Sequence, residues 1–438
     1  MHVSIIGMGH VGLVTATTLA SLGHDVVGVD ADAEKIETLR RGEVPFFEPG
    51  LGELLRELSS AGRVRFELDA ASALPGAEIV FICVGTPANP DGEANLAAIE
   101  RAAVDIARYA HEGAVVVGKS TVPAGTADRI RETLRRERPG GRFHIVSNPE
   151  FLREGSAIAD SLEPDRLLVG ADDPEGFEAI RRLYAPLLDR GIHLLETDVA
   201  TAELAKHASN AFLALKISYA NALARLCERV GADVVAVTEV MGTDPRIGAA
   251  FLGAGLVYGG YCFPKDVAAF ERLAGRLGYP FPLLAEVARI NGEAVEAVVE
   301  IVRDAVWNLQ GKKIAVLGLS FKPETDDVRL SPALALAARL LEEGAEVASF
   351  DPRAGANAKA ELPELRIAAD AYDAAEGARA IVLATEWPEF RDLDLARLRA
   401  AVAHPIVVDA RNALDGEALV ASGFEYRPVG RPAMRPGA

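Results

Sequence analysis

Cysteine is scarce in this sequence, with three residues among 438, all widely separated. Such sparse usage excludes a disulfide-stapled scaffold and predicts a reducing compartment, which we expect to be the cytoplasm, and no metal site. No apolar run approaches the ~20 residues that a membrane-spanning helix needs. A strand pattern begins almost at the first residue, so we expect no targeting segment. These absences predict no membrane partner.

Positive charge is also in the minority. The chain has 46 Lys and Arg against 64 Asp and Glu, for a net charge of −18. This balance argues against nucleic acid or an anionic membrane as partner. An anionic small substrate stays possible if cations cluster locally. The length and the 50% apolar content predict two or three globular domains.

The first motif is glycine-rich. A buried-strand pattern runs into Gly7-x-Gly9-x-x-Gly12, then into an Ala- and Leu-rich helix and a second strand that ends in Asp30. In this order the glycines permit a tight turn, the approach of a pyrophosphate and close packing of the helix. The helix N-terminus offers N–H groups to phosphate. Asp30 can accept from ribose hydroxyls and would repel a 2′-phosphate, which favours NAD over NADP.

Three more strand patterns end in polar loops. The loops carry Thr86, Thr121, Glu150 and Glu154. Because loops at the carboxyl ends of strands line the ligand crevice of an open α/β sheet, we expect these four side chains to converge there. Cys83, inside an apolar strand, is interpreted as a packed hydrophobic residue.

A long helix is predicted from Val199 to about Val230. Lys206 and Asn210 lie four residues apart and so share a face of this helix. Its remaining surface is rich in Ala and Leu, which indicates burial on more than one side. We interpret it as a connection between domains and a subunit interface, and Cys227 as part of the core. A homodimer or a higher even homo-oligomer is expected.

The stretch 258–266 reads Tyr-Gly-Gly-Tyr-Cys-Phe-Pro-Lys-Asp. Its glycines allow close approach of the backbone to a ligand. Cys262 stands within four residues of a lysine and an aspartate, Lys265 and Asp266. A nearby cation raises the reactive thiolate fraction of a cysteine, so this loop has the composition of an activated nucleophile.

From Gly311 onward the opening pattern returns as a second strand–turn–helix unit. Ser320 stands where the second phosphate-facing glycine would be, which predicts a nucleotide site that does not hold a dinucleotide in the standard way. Lys322, Arg329 and Arg411 could supply its local cations.

The predicted fold is therefore α/β, with two Rossmann-like, doubly wound parallel sheets joined by a long central helix. We expect a first domain over 1–198, a helical segment over 199–300 that carries the cysteine loop, and a second Rossmann-like domain over 301–425. The segment 426–438, rich in Pro, Arg and Gly, is expected to be disordered.

Taken together, the motifs resemble the UDP-glucose/GDP-mannose dehydrogenase family, and within it most closely the UDP-glucose branch. The resemblance runs from Gly7 to about Asp415. It rests on Gly7-x-Gly9-x-x-Gly12 with Asp30, Lys119-Ser-Thr-Val-Pro-Ala-Gly125, Asn148-Pro-Glu-Phe-Leu-Arg-Glu-Gly155, Lys206-x-x-x-Asn210, Gly259-Gly-x-Cys-Phe-Pro-Lys-Asp266 and Phe321-Lys-Pro-x-Thr-Asp-Asp327.

The resemblance implies an NAD-dependent, four-electron oxidation of a nucleotide sugar, with UDP-glucose becoming UDP-glucuronate. Each NAD accepts two electrons, so the enzyme must hold an aldehyde between two oxidations. Cys262 would do so as a thiohemiacetal and then as a thioester.

The family pattern assigns five further residues to catalysis. Lys206 and Asn210 would stabilise the oxyanion. Asp266 would order a water or exchange protons with Lys206. Glu150 would be the base for thioester hydrolysis, and Thr121 would assist the water.

The same resemblance implies two sets of binding residues. The NAD contacts would be Gly7, Gly9, Val11, Gly12, Asp30, Lys35, Thr86, Thr121, Glu154, Lys265 and Arg329. The nucleotide sugar would be held by Phe151, Leu152, Arg153, Glu154, Lys206, Asn210, Phe251, Leu252, Gly253, Ala254, Gly255, Gly259 and Lys322.

Two positions depart from the family pattern. Tyr261 stands where serine is common, and Val257 where glycine is common. Both leave GDP-mannose or a UDP-N-acetylhexosamine open as the substrate. Two other classes stay open: a two-electron β-hydroxyacid dehydrogenase, which needs no nucleophilic cysteine, and a nucleotide sensor without activity.

Overall fold

The computed structural model describes residues 1–89 and 92–437. The chain separates into two compact units. The first comprises residues 1–209 with 272–279, and the second comprises the rest. The division of the chain into three domains stays a prediction.

One sheet organises the first unit. Its strands, counted over residues 1–89 and 92–209, are eight: β1 (His2–Ile6), β2 (Asp25–Val29), β3 (Val64–Glu67), β4 (Ile79–Ile82), β5 (Val115–Gly118), β6 (His144–Ser147), β7 (Leu167–Ala171) and β8 (Leu194–Thr197). Their order in the sheet is β3-β2-β1-β4-β5-β6-β7-β8. The pairing of β6 with β7 is antiparallel, and the other neighbours are parallel. The strand order reverses at β1, as in a doubly wound sheet.

Helices connect these strands. They are α1 (His10–Ser21), α2 (Ala33–Arg40), α3 (Leu51–Ser60), α4 (Ala70–Ala73), α5 (Ala97–Tyr109), α6 (Thr126–Glu137), α7 (Ala157–Leu162), α8 (Pro174–Leu183) and α9 (Ala185–Leu188). Polar residues are tolerated in the buried α1 because Thr15, Thr17 and Thr18 donate their hydroxyl protons to carbonyls of the preceding turn. Satisfied hydroxyls do not carry the cost of burying an unpaired polar group.

Helix α10 (Val199–Val230) begins in the first unit and ends in the second. Its observed bounds confirm the helix predicted from the sequence. In the second unit, small side chains at Ala211, Ala214, Ala220 and Ala224 are buried on it. Nowhere in the described parts of the chain does a helix have both the length and the apolar character needed to cross a membrane.

The second unit contains a smaller sheet. Its strands, counted over residues 210–437, are β9 (Lys313–Leu317), β10 (Glu346–Phe350), β11 (Arg366–Ile367), β12 (Ala380–Leu383), β13 (Ile406–Asp409) and β14 (Glu425–Pro428). All neighbours are parallel, in the order β11-β10-β9-β12-β13-β14. Two Rossmann-like units confirm the predicted fold class.

The remaining helices follow α10 along the chain. They are α11 (Val234–Gly242), α12 (Cys262–Arg276), α13 (Pro282–Val306), α14 (Pro332–Glu342), α15 (Gly355–Glu361), α16 (Ala371–Ala375), a 3-10 turn (Pro388–Phe390), α17 (Leu395–Ala401) and α18 (Gly416–Ala421).

The expectation of disorder from residue 426 is wrong. Tyr426 is fully buried in β14, which pairs with β13. Backbone hydrogen bonds run in both directions between Tyr426 and Met434. The tyrosine hydroxyl donates to the buried Asp409 at 2.8 Å. Burial of this aromatic side chain holds a segment whose Pro, Arg and Gly content alone indicates disorder.

Candidate active site

The glycine-rich turn lies between β1 and α1. Gly7 has φ +98°, and a Cβ at this position would lie 2.8 Å from the backbone of Cys83. A Cβ on Gly12 would lie 1.8 Å from the carbonyl oxygen of Gly7, so only glycine lets α1 pack here. At Gly9, by contrast, a Cβ would have no atom of the described chain within 4 Å. Gly7 and Gly12 are therefore required by packing, whereas Gly9 leaves space that a pyrophosphate fits.

Asp30 lies at the end of β2, beside this turn. Its Oδ2 accepts from the Met8 amide at 2.8 Å and from Lys35 Nζ at 2.9 Å, and its Oδ1 accepts from the Asp32 amide at 3.0 Å. Burial raises the pKa of Asp30, but these donors lower it further than burial raises it, so the carboxylate is ionised at neutral pH. A carboxylate has about four acceptor positions. One on Oδ1 is left for a ribose hydroxyl, which fits NAD.

The loops after β4 and β5 meet. Thr86 Oγ1 donates to the carbonyl oxygen of Thr121 at 2.9 Å, and Ser120 Oγ donates to the carbonyl oxygen of Val84 at 2.7 Å. The two predicted site threonines are thus in contact. Val11, another predicted NAD contact, is half-buried in the first turn of α1.

Glu150, after β6, forms a buried ion pair with Lys206 on α10. Lys206 Nζ lies 3.1 Å from Glu150 Oε1. The same ammonium lies 5.2 Å from the ring centroid of Phe151, within range of a cation–π contact. The predicted oxyanion lysine and the predicted hydrolytic base are therefore direct neighbours.

Hydrogen bonds to Glu150 and Asp160 hold the segment that follows Glu150. The amide of Leu152 donates to Glu150 Oε2 at 2.9 Å. Arg153 is exposed, and its guanidinium donates to both oxygens of Asp160. Because its charge is already paired, a substrate contact from Arg153 would come from its backbone. Glu154 is half-buried.

Glu48 is a buried residue that sequence reasoning missed. Its carboxylate accepts from the amides of Gly155 at 2.7 Å and Ala157 at 2.8 Å. It also lies 2.8 Å from Nε2 of His10, the first residue of α1. Glu48 thus links the glycine-rich turn to the segment that begins at Glu150. The sequence does carry one signal for Glu48, which is an acidic residue between two prolines in an otherwise apolar stretch.

Glu203 is the second missed residue. It is buried on α10 and accepts from the amides of Gly125 at 2.7 Å and Ala127 at 2.9 Å, at the N-terminus of α6. His207 Nε2 lies 2.8 Å from the carbonyl oxygen of Val122 in the same loop. Glu203 and His207 therefore fix the loop that carries Thr121. The signal was an acid three residues before the lysine on an apolar helix.

In the second unit, Cys262 is exposed and is the first residue of α12. A helix N-terminus stabilises negative charge, which favours a thiolate. Gly260, two residues before Cys262, has φ +74°, and a Cβ there would lie 2.7 Å from the ring of Phe321. At Gly259 a Cβ would lie 2.4 Å from Pro332. Both glycines are therefore required by the packing of the loop.

A second buried network is centred on Asp266, four residues after Cys262. Asn210 Nδ2 donates to Asp266 Oδ2 at 2.6 Å, and Lys265 Nζ donates to Asp266 Oδ1 at 2.5 Å. Asp266 is only 1% exposed. Burial lowers the pKa of Lys265, but the charge and hydrogen bond of Asp266, with the charges of Cys262 and Tyr261, together raise it further, so the net shift is upward and Lys265 stays a cation. The ammonium that was predicted to contact NAD is therefore paired with Asp266.

The predicted substrate loop 251–255 is anchored inside the second unit. Phe251 has φ +65°, and its ring meets that of Phe263 edge-on at 6.1 Å between centroids. The amide of Gly255 donates to Asn221 Oδ1 at 3.1 Å. Leu252 and Ala254 are buried, whereas Gly253 is exposed.

Arg411 is a structural cation. Its Nη1 donates to the carbonyl oxygen of Leu256 at 2.7 Å, its Nη2 donates to that of Phe321 at 3.1 Å, and its Nε lies 2.7 Å from Glu386. These contacts fix the guanidinium in place, and the expectation that Arg411 supplies a cation to a nucleotide stays a prediction. Lys322, by comparison, is half-buried, with Nζ 5.8 Å from the ring centroid of Phe321.

The second glycine-type turn is filled by the protein's own side chains. Asp351 Oδ2 accepts from the amides of Leu319 at 2.7 Å and Ser320 at 3.0 Å. It also accepts from Ser320 Oγ at 3.1 Å and from Trp387 Nε1 at 3.2 Å. Ser320, Asp351 and Trp387 are buried. At this turn the hydroxyl of Ser320 is thus bound by the protein itself, and the expectation that the unit does not hold a dinucleotide in the standard way stays a prediction.

Three family models match the chain in succession. Residues 1–188 match the NAD binding domain of the UDP-glucose/GDP-mannose dehydrogenase family, residues 200–293 its central domain and residues 315–416 its UDP binding domain. The chain belongs to the UDP-glucose/GDP-mannose dehydrogenase family. It is thus a nucleotide-sugar dehydrogenase that uses NAD, as the turn at Gly9 and Asp30 indicates.

Individual members of the family resemble it along its whole length. A UDP-glucose 6-dehydrogenase of Rhizobium meliloti is 43% identical over 99% of this chain and 100% of the relative. The structure of a UDP-glucose dehydrogenase from Pyrobaculum islandicum superposes with a TM-score of 0.92 at 38% identity, covering 98% of each chain. That of a UDP-D-ManNAc dehydrogenase from Pyrococcus horikoshii gives 0.87 at 29% identity, covering 98% of this chain and 99% of the other.

Proposed function

We propose that this chain oxidises UDP-glucose to UDP-glucuronate with NAD, through a covalent intermediate on Cys262. The observation that carries the proposal is an exposed thiol at the first residue of α12, four residues before an aspartate that Asn210 and Lys265 hold in place. Similarity over the whole chain to UDP-glucose 6-dehydrogenases supports the choice of sugar.

The first two electrons leave as the C6 alcohol becomes an aldehyde. When bound, NAD supplies the electron acceptor and takes a hydride in each of the two oxidations. Lys206 is a buried ammonium and Asn210 a buried amide on the next turn of α10. Both donate hydrogen bonds, and donors aimed at a developing oxyanion stabilise it strongly in a site that excludes water.

The covalent steps belong to Cys262. Its thiolate adds to the aldehyde carbon, a C–S bond forms and the negative charge moves to the oxygen. Loss of the second hydride from that carbon restores the C=O bond and leaves a thioester. Water then adds, the C–S bond breaks, and the products are the carboxylate and the thiol. Glu150 would accept the proton of that water.

A second substrate class is favoured by specific observations. Tyr261 and Val257 depart from the pattern common in the family, and the structure of a UDP-D-ManNAc dehydrogenase is closely similar. A UDP-N-acetylhexosamine is therefore the alternative sugar for the same chemistry.

The test is NADH release from a panel of UDP-glucose, UDP-N-acetylhexosamines and GDP-mannose. We expect two NADH per UDP-glucose, and a Cys262→Ser variant without full turnover. Turnover of another sugar but not UDP-glucose would overturn the substrate. One NADH per substrate, or an undiminished Cys262→Ser variant, would overturn the thioester and favour a two-electron dehydrogenase.

We also infer that the protein forms a homodimer or a higher even oligomer through α10. Phe212, Tyr219 and Leu226 recur every seven residues and are 60%, 50% and 56% exposed. A seven-residue spacing places the three side chains on one face of a helix. Large apolar side chains in such a row are typical of a surface covered by another subunit.

A cytoplasmic location is part of the proposal. Its support is that all three cysteines are thiols, two of them buried, as is usual where glutathione keeps proteins reduced.

A further inference from the structure

The ring of Tyr261 lies beneath two cations. Arg329 Cζ is 4.7 Å and Lys265 Nζ is 5.5 Å from its centroid. Both distances are within the roughly 6 Å over which a ring face attracts a cation. The ring is half-buried and directly precedes Cys262. All four residues lie in the second unit.

Each cation is held by a carboxylate as well. Lys265 donates to Asp266 at 2.5 Å, and Arg329 Nη2 lies 2.6 Å from Asp327 Oδ2. Tyr261 thus supplies a second contact to each of two groups that already have a charged partner. A long side chain with two contacts loses more of its rotamer freedom than one with a single contact.

The ring acts as a neutral aromatic face. Burial is the largest effect on the pKa of Tyr261 and raises it; Lys265 and Arg329 lower the pKa, Cys262 and Asp266 raise it, and the net shift is upward. The hydroxyl therefore keeps its proton at neutral pH. The attraction to the cations then comes from the ring quadrupole rather than from a phenolate charge.

We propose that Tyr261 is a positioning residue that orients Lys265 and Arg329 beside the nucleophilic Cys262. The inference rests on the proposed function, because it assigns the two cations to that site. The ring face thus adds a contact that restrains both cations, one of which, Lys265, follows Cys262 by three residues.

The first test is the rate at which iodoacetamide alkylates Cys262 in the full-length protein at pH 7, without substrate. Tyr261→Leu removes the ring face, so we expect about fivefold slower alkylation, since ordered cations favour the thiolate. Tyr261→Phe keeps the face and should stay within about 1.5-fold. The matched control is Tyr372→Leu, which removes a ring from beneath Arg397 (Cζ 3.7 Å from the centroid). We expect no change in that variant.

A second series of variants distinguishes the loss of the ring face from misfolding of the leucine variant. Mono-, di- and trifluorinated phenylalanine at position 261 keep the shape of the ring and weaken its negative face step by step. Alkylation should slow in the same order, and the KM for NAD should rise more than kcat falls, because Lys265 and Arg329 are the predicted NAD contacts. A flat fluorination series, or a Tyr261→Phe variant as slow as Tyr261→Leu, would overturn the proposal.

The two proposals fail separately. Alkylation needs no sugar, so it can be measured apart from the proposed function. If the alkylation rates follow the expected order in the Tyr261 variants but the wild type oxidises no nucleotide sugar, the proposed function alone is overturned. Full oxidation of UDP-glucose with alkylation and KM for NAD unchanged in Tyr261→Leu would overturn the role of Tyr261 alone.

Discussion

Lys206 Nζ lies 3.1 Å from Glu150 Oε1, and the two side chains are only 5% and 7% exposed. A buried ion pair gains little net stability over an apolar pair, but breaking it leaves an uncompensated charge. Stability alone therefore does not account for the pair. In the proposed function it has a chemical role, because the ammonium is the proposed oxyanion donor and the carboxylate the proposed base.

The first prediction concerns this ion pair. We expect Lys206→Met to lower kcat by about 10²- to 10³-fold, since an oxyanion donor is lost. The free energy of unfolding should fall by about 3–5 kcal/mol because Glu150 stays buried without its partner. Steady-state kinetics and denaturant unfolding measure the two effects. Lys216→Met is the control: Lys216 is on the same helix and donates to the carbonyl oxygens of Ile247 and Gly248.

The double variant Lys206→Met/Glu150→Leu separates the two effects. We expect its stability to return toward that of the wild type while its activity stays lost. A double variant no more stable than the single one would show that the unpaired carboxylate is not the source of the loss.

The second prediction concerns cysteine reactivity and pH. Burial raises the pKa of Cys83 to about 12, and only the thiolate reacts with alkylating agents. Below that pH Cys83 is a neutral thiol, and Cys227 is buried. We therefore expect one adduct per chain from pH 7 to 9, found on Cys262 by peptide mass spectrometry, with loss of activity. An adduct on Cys83 at pH 8 would contradict the structure, and Cys262→Ser should remain unmodified.

The third prediction concerns the choice of cofactor. Asp30→Ser removes the carboxylate predicted to accept from the ribose, so kcat/KM for NAD should fall about tenfold or more. The preference for NAD over NADP should shrink as well, because repulsion of a 2′-phosphate is lost. Kinetics with both cofactors give the ratio. Asp32→Ser, which alters an exposed cap of α2, should leave it unchanged. An unchanged ratio in Asp30→Ser would exclude Asp30 from ribose recognition.

The fourth prediction concerns assembly. Phe212→Glu combined with Leu226→Glu places two like charges on the exposed row of α10. We expect the sedimentation coefficient to drop to that of a monomer, whereas Tyr109→Glu, on the exposed part of α5, should not change it. If the double variant sediments as the wild type does, the oligomer uses another surface.

Several elements could be predicted from sequence because they depend on local pattern. The glycine spacing with Asp30 located the first sheet and the glycine-rich turn between β1 and α1. The apolar run from Val199 to Val230 gave the bounds of α10. The fold class followed from the repetition of the same strand–turn–helix pattern. Ser320 distinguished the second turn from the first in sequence, and the structure pairs its hydroxyl with Asp351.

Pairings between distant residues could not be predicted. Glu150 and Lys206 are separated along the chain by 56 positions, and nothing in the sequence near either residue indicates which residue it pairs with. Glu48 was missed because its donors are backbone amides, which have no sequence signature. Composition gave the wrong answer for the last segment, where one buried tyrosine, Tyr426, outweighs the prolines around it.

The filled turn around Ser320, Asp351 and Trp387 limits how the reaction can be supplied with oxidant. Of the two glycine-type turns that the structure describes, the one at Gly9 is open where a Cβ would stand, whereas in the other Asp351 accepts hydrogen bonds from the side chains of Ser320 and Trp387. In the proposed reaction, four electrons would leave through one cofactor position in two deliveries. Spent cofactor would have to depart and a fresh molecule arrive while the half-oxidised sugar is bonded to sulfur. Cys262 would then serve as a tether as well as a nucleophile, since it would keep a reactive aldehyde from escaping during the exchange.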